Sequence, residues 1–298
     1  MKDGIIVINK EEGYTSHDVV ACLRGILHTR RIGHTGTLDP MATGVLPAAV
    51  GRGTVLSGML TEKTKTYHTR MHLGITTDTQ DRTGSVLSEK PVSCTESQIL
   101  DAVRSFEGEQ MQIPPMYSAL KVDGKKLYEL AREGKTVERK ARPVTFYEIR
   151  VTEIRMPLVE MTVRCSKGTY IRTLCHDIGE RLGCGAMMES LQRTASGSFT
   201  LDDAYTLEEV RNAVEAGHAD DIIIPVEEVL STYPAVRVLS EADLLLRNGN
   251  PVGEHLVEKQ DGVLPEGDVR MYLSDGTFIG LYSRDLSKHR YKALKMFL

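Results

Sequence analysis

The sequence predicts an α+β protein that ends in a small β-rich unit, on three observations. Apolar runs of strand length alternate with segments of helical period along most of the chain. Three of the helical segments open on a threonine followed three residues later by Asp, Gln or Glu, the capping-box spacing. After about residue 233 the helical period gives way to short strand-like runs. With 298 residues, 41% hydrophobic and 26% charged, the chain is long enough for one large domain and a small one. These observations place the domains at 1–233 and 234–298.

Taken in order, Gly4 to Asn9 is an apolar strand that leaves Lys10 at its end. Thr15 and Asp18 then cap a helix over about 16–28, with Val19, Val20, Leu23, Ile26 and Leu27 on one face. Gly33-His34-Thr35-Gly36-Thr37-Leu38-Asp39-Pro40-Met41-Ala42-Thr43-Gly44-Val45-Leu46 follows. Its glycines relax φ and its proline fixes it, so this is a shaped loop able to hold one side chain in a set pose. Its single carboxylate is Asp39. An aspartate before a proline ordinarily caps a turn, so that residue pair alone does not make a site. Val45 to Val50 is a buried strand on the far side of the loop.

Lys65 to Gly74 alternates, which puts Tyr67, Thr69, Met71 and Leu73 on the inner face; a core tyrosine with a satisfied hydroxyl would look the same. Residues 76–84 read as a polar loop. Thr95 and Gln98 cap a helix over about 96–107, and Ile113-Pro114-Pro115 must run extended. The segment 121–142 carries eight Lys/Arg against four Asp/Glu around a short helix, Lys125 to Arg132. With few apolar anchors, it reads as an exposed, mobile insertion. Strands at 144–154 and 158–165 precede a helix whose face is Ile171, Leu174, Ile178 and Leu182, ended by Gly183. Arg172 lies in its first turn, where free N–H groups favour an anion. Thr206 and Glu209 cap a helix that stops near Gly217.

Net charge is −4, yet Arg284 to Lys295 has five cations against one acid, and Asp202 to Glu228 nine acids against Arg211 alone. Two basic patches separated by an acidic stretch suit a chain that meets a polyanion at two places, although ordinary solvated surface has the same look. Five scattered cysteines without a C-x-x-C pair read as reduced thiols in a cytosolic protein. No apolar run approaches the roughly 20 residues that span a bilayer. The histidines and cysteines lack zinc spacing, and there is no P-loop or dinucleotide fingerprint. Cys175-His176-Asp177 is no catalytic dyad, because adjacent helix positions point apart. What remains is a carboxylate on a rigid loop, an arginine at a helix start, a tyrosine on a strand and a lysine at a strand end, a set suited to cofactor-free covalent or acid–base chemistry.

The composite loop string resembles the catalytic-aspartate motif of the bacterial TruB family of pseudouridine synthases, which modify uridine 55 of tRNA. Asn9-Lys10 through Thr15-Ser16, with Glu11 where proline is usual, is similar to that family's N-terminal box. Lys65-Thr66-Tyr67, Ile113 to Gly124, Gly168 to Leu174 and Leu191-Gln192-Arg193-Thr194, departing at Gln192, resemble its other segments. The resemblance implies a catalytic domain on a mixed, mainly antiparallel sheet with flanking helices, followed by a PUA-like RNA-binding β-barrel. It implies isomerisation of a uridine within RNA, with no cofactor or metal. Asp39 would be nucleophile or base; Arg172 would pair with it and keep it ionised by lowering its pKa. Tyr67 would stack on the base and serve in acid–base transfer. Lys10 would support the loop or a phosphate, Tyr170 and Leu191 would line the substrate site, and His34 would fill the space the flipped base leaves. Lys121, Lys125, Lys126, Arg139 and Lys140 would contact phosphates. The implied partner is the T-arm of tRNA, met by a monomer without guide RNA. The alternatives are a guide-dependent relative and a non-catalytic RNA-binding or RNA-folding module.

Overall fold

The computed structural model describes residues 2–122, 124–258 and 263–298; Asp123 of the basic insertion lies outside them. Ten of the described strands form one sheet whose main path runs Ile224–Pro225, Gly4–Lys10, Thr43–Val50, Ala186–Ser196, Lys65–Leu73, Leu158–Cys165, Arg142–Arg155, Gly108–Gln112. Its neighbours are antiparallel except at one junction, where Gln192 and Arg193 run parallel to Thr43 and Gly44. Gly44 sits there with φ +99, and a Cβ on it would come within 2.3 Å of the Arg193 carbonyl oxygen. The glycine therefore lets the loop strand close against the Arg193 strand.

Strand alternation gives the sheet two covered faces. Ile6 and Ile8 share a core with Val19 and Leu23 of helix Ser16–Ile26, Val103 of Glu96–Arg104, Leu174 and Ile178 of Ile171–Leu182, and Val210 of Leu207–Glu215. Ile5, Val7, Val45 and Ala49 instead meet Leu281 and Phe297. Leu281 lies in, and Phe297 directly follows, a strand of a second, five-stranded sheet, Ala235–Arg237, Asp268–Tyr272, Phe278–Asp285, Arg290–Met296, Val252–Gly253, which has its own core around Val238, Val269, Met271 and Tyr282. Arg52 ties the sheets together by pairing with Asp3 at 2.5 Å and donating to the Phe297 carbonyl at 2.8 Å.

All three expected capping boxes are present, at Thr15/Asp18, Thr95/Gln98 and Thr206/Glu209. Two expectations need correction. The second capped helix ends at Arg104, since Phe106 and Glu107 turn back onto the carbonyls of Val103 and Arg104. Residues 76–84 are not loop throughout: Ile75–Thr77 pairs with Val86–Glu89, and the turn between them buries Asp81. Among the described residues no helix is long and apolar enough to cross a membrane, and no cluster of three or more His, Cys, Asp or Glu could hold a metal ion.

Candidate active site

The Asp39 loop is held through its backbone, and buried cations do much of the holding. Arg193, 1% exposed, donates to the carbonyls of Val45 at 2.7 Å, Gly36 at 3.1 Å and Thr37 at 3.5 Å. Lys10, equally buried, donates to Glu11 at 3.0 Å, Tyr14 at 2.7 Å and Pro40 at 3.2 Å. The buried Ser16 hydroxyl accepts from the Leu38 N–H at 2.9 Å, and the Gly13 N–H also reaches the Pro40 carbonyl at 2.8 Å. A buried cation is costly unless its donors are used; here they are used on the loop. All three Lys10 donors go to backbone carbonyls, an arrangement that fits support of the loop. Burial pulls its pKa down to about 8, against the pull of the Asp39 and Glu12 carboxylates.

Asp39 meets Arg172 across this loop, at 2.7 Å from Oδ2 to Nη2. The helix Ile171–Leu182 begins after Tyr170, which makes no side-chain cap, and its apolar face is docked in the core, so Arg172 is only 6% exposed in its side chain while Asp39 keeps 34%. The carboxylate thus faces an opening and the guanidinium backs it. Arg172 pulls the Asp39 pKa down as expected, but it does not set the net direction. Burial pushes the carboxyl above its ordinary value and outweighs the pull of Arg172, and the Asp81 carboxylate pushes the same way. Asp81 shares the guanidinium, at 3.4 Å from Arg172 Nη1. Its other oxygen accepts from Thr79 at 2.8 Å and from the Thr83 N–H and hydroxyl at 3.0 and 2.6 Å.

Models of two families match in tandem: TruB family pseudouridylate synthase, N-terminal domain, over residues 24–171, and tRNA pseudouridylate synthase B C-terminal domain over 172–231. The chain is 45% identical to tRNA pseudouridine synthase B of Clostridium novyi (strain NT), covering 95% of this chain and 96% of the relative. It is also 45% identical to tRNA pseudouridine synthase B of Geobacter sulfurreducens (strain ATCC 51573 / DSM 12127 / PCA), with 97% and 98% covered. The chain belongs to the TruB family of pseudouridine synthases. Solved chains similar to it include one from a Cbf5-Nop10-Gar1 complex, at TM-score 0.74 and 29% identity over 99% of this chain and 85% of that one. Another is from an H/ACA RNP bound to a substrate RNA containing 2'-deoxyuridine, at TM-score 0.72 and 27% identity over the same shares.

The other expected residues of this TruB-family chain divide. Tyr67 lies beside Arg193 in register on the adjoining strand and is 8% exposed. Burial raises its hydroxyl pKa, with Arg193 pulling back by charge and hydrogen bond. It therefore stays protonated at neutral pH and is a donor. Leu191 is buried two residues along from Arg193, in the core that also contains Tyr67. Tyr170 is half-buried, its N–H and carbonyl fixed by the Gln112 side chain at 2.8 and 3.0 Å. His34 is half-buried at the start of the loop, edge-on to His17 with ring centroids 5.3 Å apart. Burial first, then His17 and Arg193, lower its pKa, so the ring is neutral at neutral pH.

The basic insertion departs from expectation in two ways. It has apolar anchors, since Leu127 and Leu130 are buried, and Lys121–Val122 pairs with Lys125–Lys126 as a short hairpin. Arg139 is half-buried and donates from Nη1 to the Pro114 carbonyl at 3.0 Å, which helps hold the insertion down. Lys121, Lys125 and Lys140 are exposed and Lys126 partly so. Sequence reasoning missed two participants. Arg193 stood in view within Leu191-Gln192-Arg193-Thr194, but nothing local marks an arginine as buried. Asp81 was hidden in a polar run, where only the threonines around it hint at a carboxylate kept in place. All five cysteines are free, and burial pushes the Cys175 thiol up to about 12, which removes it as a nucleophile.

Proposed function

We propose that this protein isomerises uridine 55 in the T-arm of tRNA to pseudouridine, without a guide RNA. The observation that carries the reading is the half-open Asp39 carboxylate on a loop pinned from below and backed by a buried Arg172. In this reading the N-glycosidic bond breaks at Asp39, acting as nucleophile or base, the uracil turns over, and a C–C bond forms to the same sugar. Arg172 and Asp81 keep the carboxylate in place. Tyr67 stacks on the base and, kept protonated by its raised pKa, donates a hydrogen bond near the sugar. Leu191 and Tyr170 line the pocket, and His34, neutral and beside the loop, fills the gap left in the RNA stack at a cost of a few kcal/mol recovered from the pocket. Residues 1–233 act as the catalytic unit and 234–298 as a PUA-like RNA-binding unit, in a cytoplasmic monomer. Lys121, Lys125, Lys126 and Lys140 meet phosphates.

The likeness to Cbf5-containing assemblies favours a guide-dependent reading, but higher identity to full-length tRNA pseudouridine synthase B relatives supports the stand-alone one. Incubation of the purified protein with unmodified tRNA and no additives, followed by pseudouridine mapping, separates them. Product at uridine 55 is expected. Product only after a guide RNA is added overturns guide independence, and RNA binding without product overturns the catalytic reading.

A further inference from the structure

We propose that Arg82 is a binding residue for an RNA phosphate at the mouth of the site, and that the Glu12 carboxylate holds its guanidinium until RNA arrives. Arg82 Nη2 donates to Glu12 Oε1, with 39% and 56% of the two side chains exposed. Each partner is rooted next to a residue one contact away from Asp39. Arg82 follows Asp81, which holds Arg172, and its own N–H is fixed on the Met188 carbonyl at 3.0 Å. Glu12 precedes Gly13, whose N–H is bonded to the Pro40 carbonyl, and follows Glu11, whose carbonyl Lys10 holds. The ion pair therefore joins two walls beside the exposed edge of Asp39, completing a ring through Arg172, Asp81, Arg82, Glu12, Gly13 and Pro40.

An exposed pair of this kind contributes about 0–1 kcal/mol, so it is a weak reason for stability and an easy contact to break. Lys10 and Arg172 are buried and turned toward protein acceptors, whereas the Arg82 guanidinium reaches the surface. Carboxylate and phosphate present similar oxygens to a guanidinium, so an exchange of Glu12 for a phosphate keeps the hydrogen bonds and converts a protein contact into an RNA one. The inference rests on the RNA-modifying reading but uses none of the residues assigned to the chemistry.

The test measures binding of an unmodified T-arm hairpin across a salt series, in an Asp39→Asn background that stops turnover. Arg82→Gln weakens binding about tenfold and makes the log–log salt slope shallower by about 0.7–0.9. Glu12→Gln tightens it about two- to fivefold, and that gain disappears when Arg82→Gln is also present. Both partners are exposed, so melting temperatures should match the parent. The proposal is overturned if Arg82→Gln changes neither affinity nor slope, or if Glu12→Gln weakens binding as a structural strap would. It is also overturned if Glu12→Gln tightens equally without Arg82, which is plain repulsion between Glu12 and RNA. Hairpin binding with no pseudouridine made by the wild type sinks the catalytic reading alone; no binding by either protein sinks both.

Discussion

The Asp39 loop and the basic insertion use the same residue types in opposite ways. Around residues 33–44, Lys10 and Arg193 are buried and their donors go to backbone carbonyls, so they act as internal scaffolding. In 121–142, Lys121, Lys125 and Lys140 face solvent, while Leu127, Leu130, the Arg139–Pro114 bond and the Tyr128 N–H on the Ser118 carbonyl tie the segment down. A buried cation that gives up its hydration must recover it from fixed acceptors, and in doing so it fixes them. An exposed one keeps its charge available to a phosphate. Burial, and not residue type, separates the cations that shape the site from those that meet the substrate.

The largest effect that would break this comparison is at the residue the scaffold serves. Asp39→Asn should lower the single-turnover rate by a factor on the order of 10³ or more while leaving tRNA affinity nearly unchanged; wild-type turnover would remove Asp39 from the chemistry. The same variant should melt higher than wild type at neutral pH. Because the folded pKa is raised, the protonated form's stability is full below the ordinary carboxylate value and lost as pH rises through the folded one, a loss asparagine avoids. The gain should vanish on acidification.

Next in size, Arg193→Met leaves the Val45, Gly36 and Thr37 carbonyls short of donors and should cost about 3 kcal/mol in urea unfolding. An undiminished stability would mean that the loop is held without it. The pH profile sharpens the electrostatic side. Activity should fall on acidification with a midpoint above the ordinary carboxylate range, and Asp81→Asn, which removes a charge that raises the Asp39 pKa, should move that midpoint down. On the alkaline side, activity should decline above about 8, where Lys10 and the similarly buried Lys65 lose their protons. A midpoint unmoved by Asp81→Asn would show that the two carboxylates do not share Arg172.

The smallest effect on the fold belongs to the insertion. Neutralising Lys125, Lys126 and Lys140 together should change stability by no more than about 0.5 kcal/mol, yet make the salt dependence of RNA binding shallower by about 2–3 in log–log slope. An unchanged slope would show that these lysines do not meet phosphates.

Local information alone determined a good deal. Capping boxes, strand alternation and glycine stops depend on residues a few positions apart, so the helices at 16, 96, 171 and 207 and the Tyr67 strand were readable with small errors at their ends. The site's carboxylate was readable because one acid stands in a loop rich in glycine and threonine, and the family resemblance named its partner Arg172. Tertiary structure alone decided what that carboxylate experiences. The parallel register of Arg193 with Gly44, the burial of Asp81 behind Arg172, and the enclosure of Lys10 join residues tens to more than a hundred positions apart. Desolvation and charge act through space, so the upward direction of the Asp39 pKa, opposite to the one its arginine partner suggests, exists only once the chain has brought those groups together.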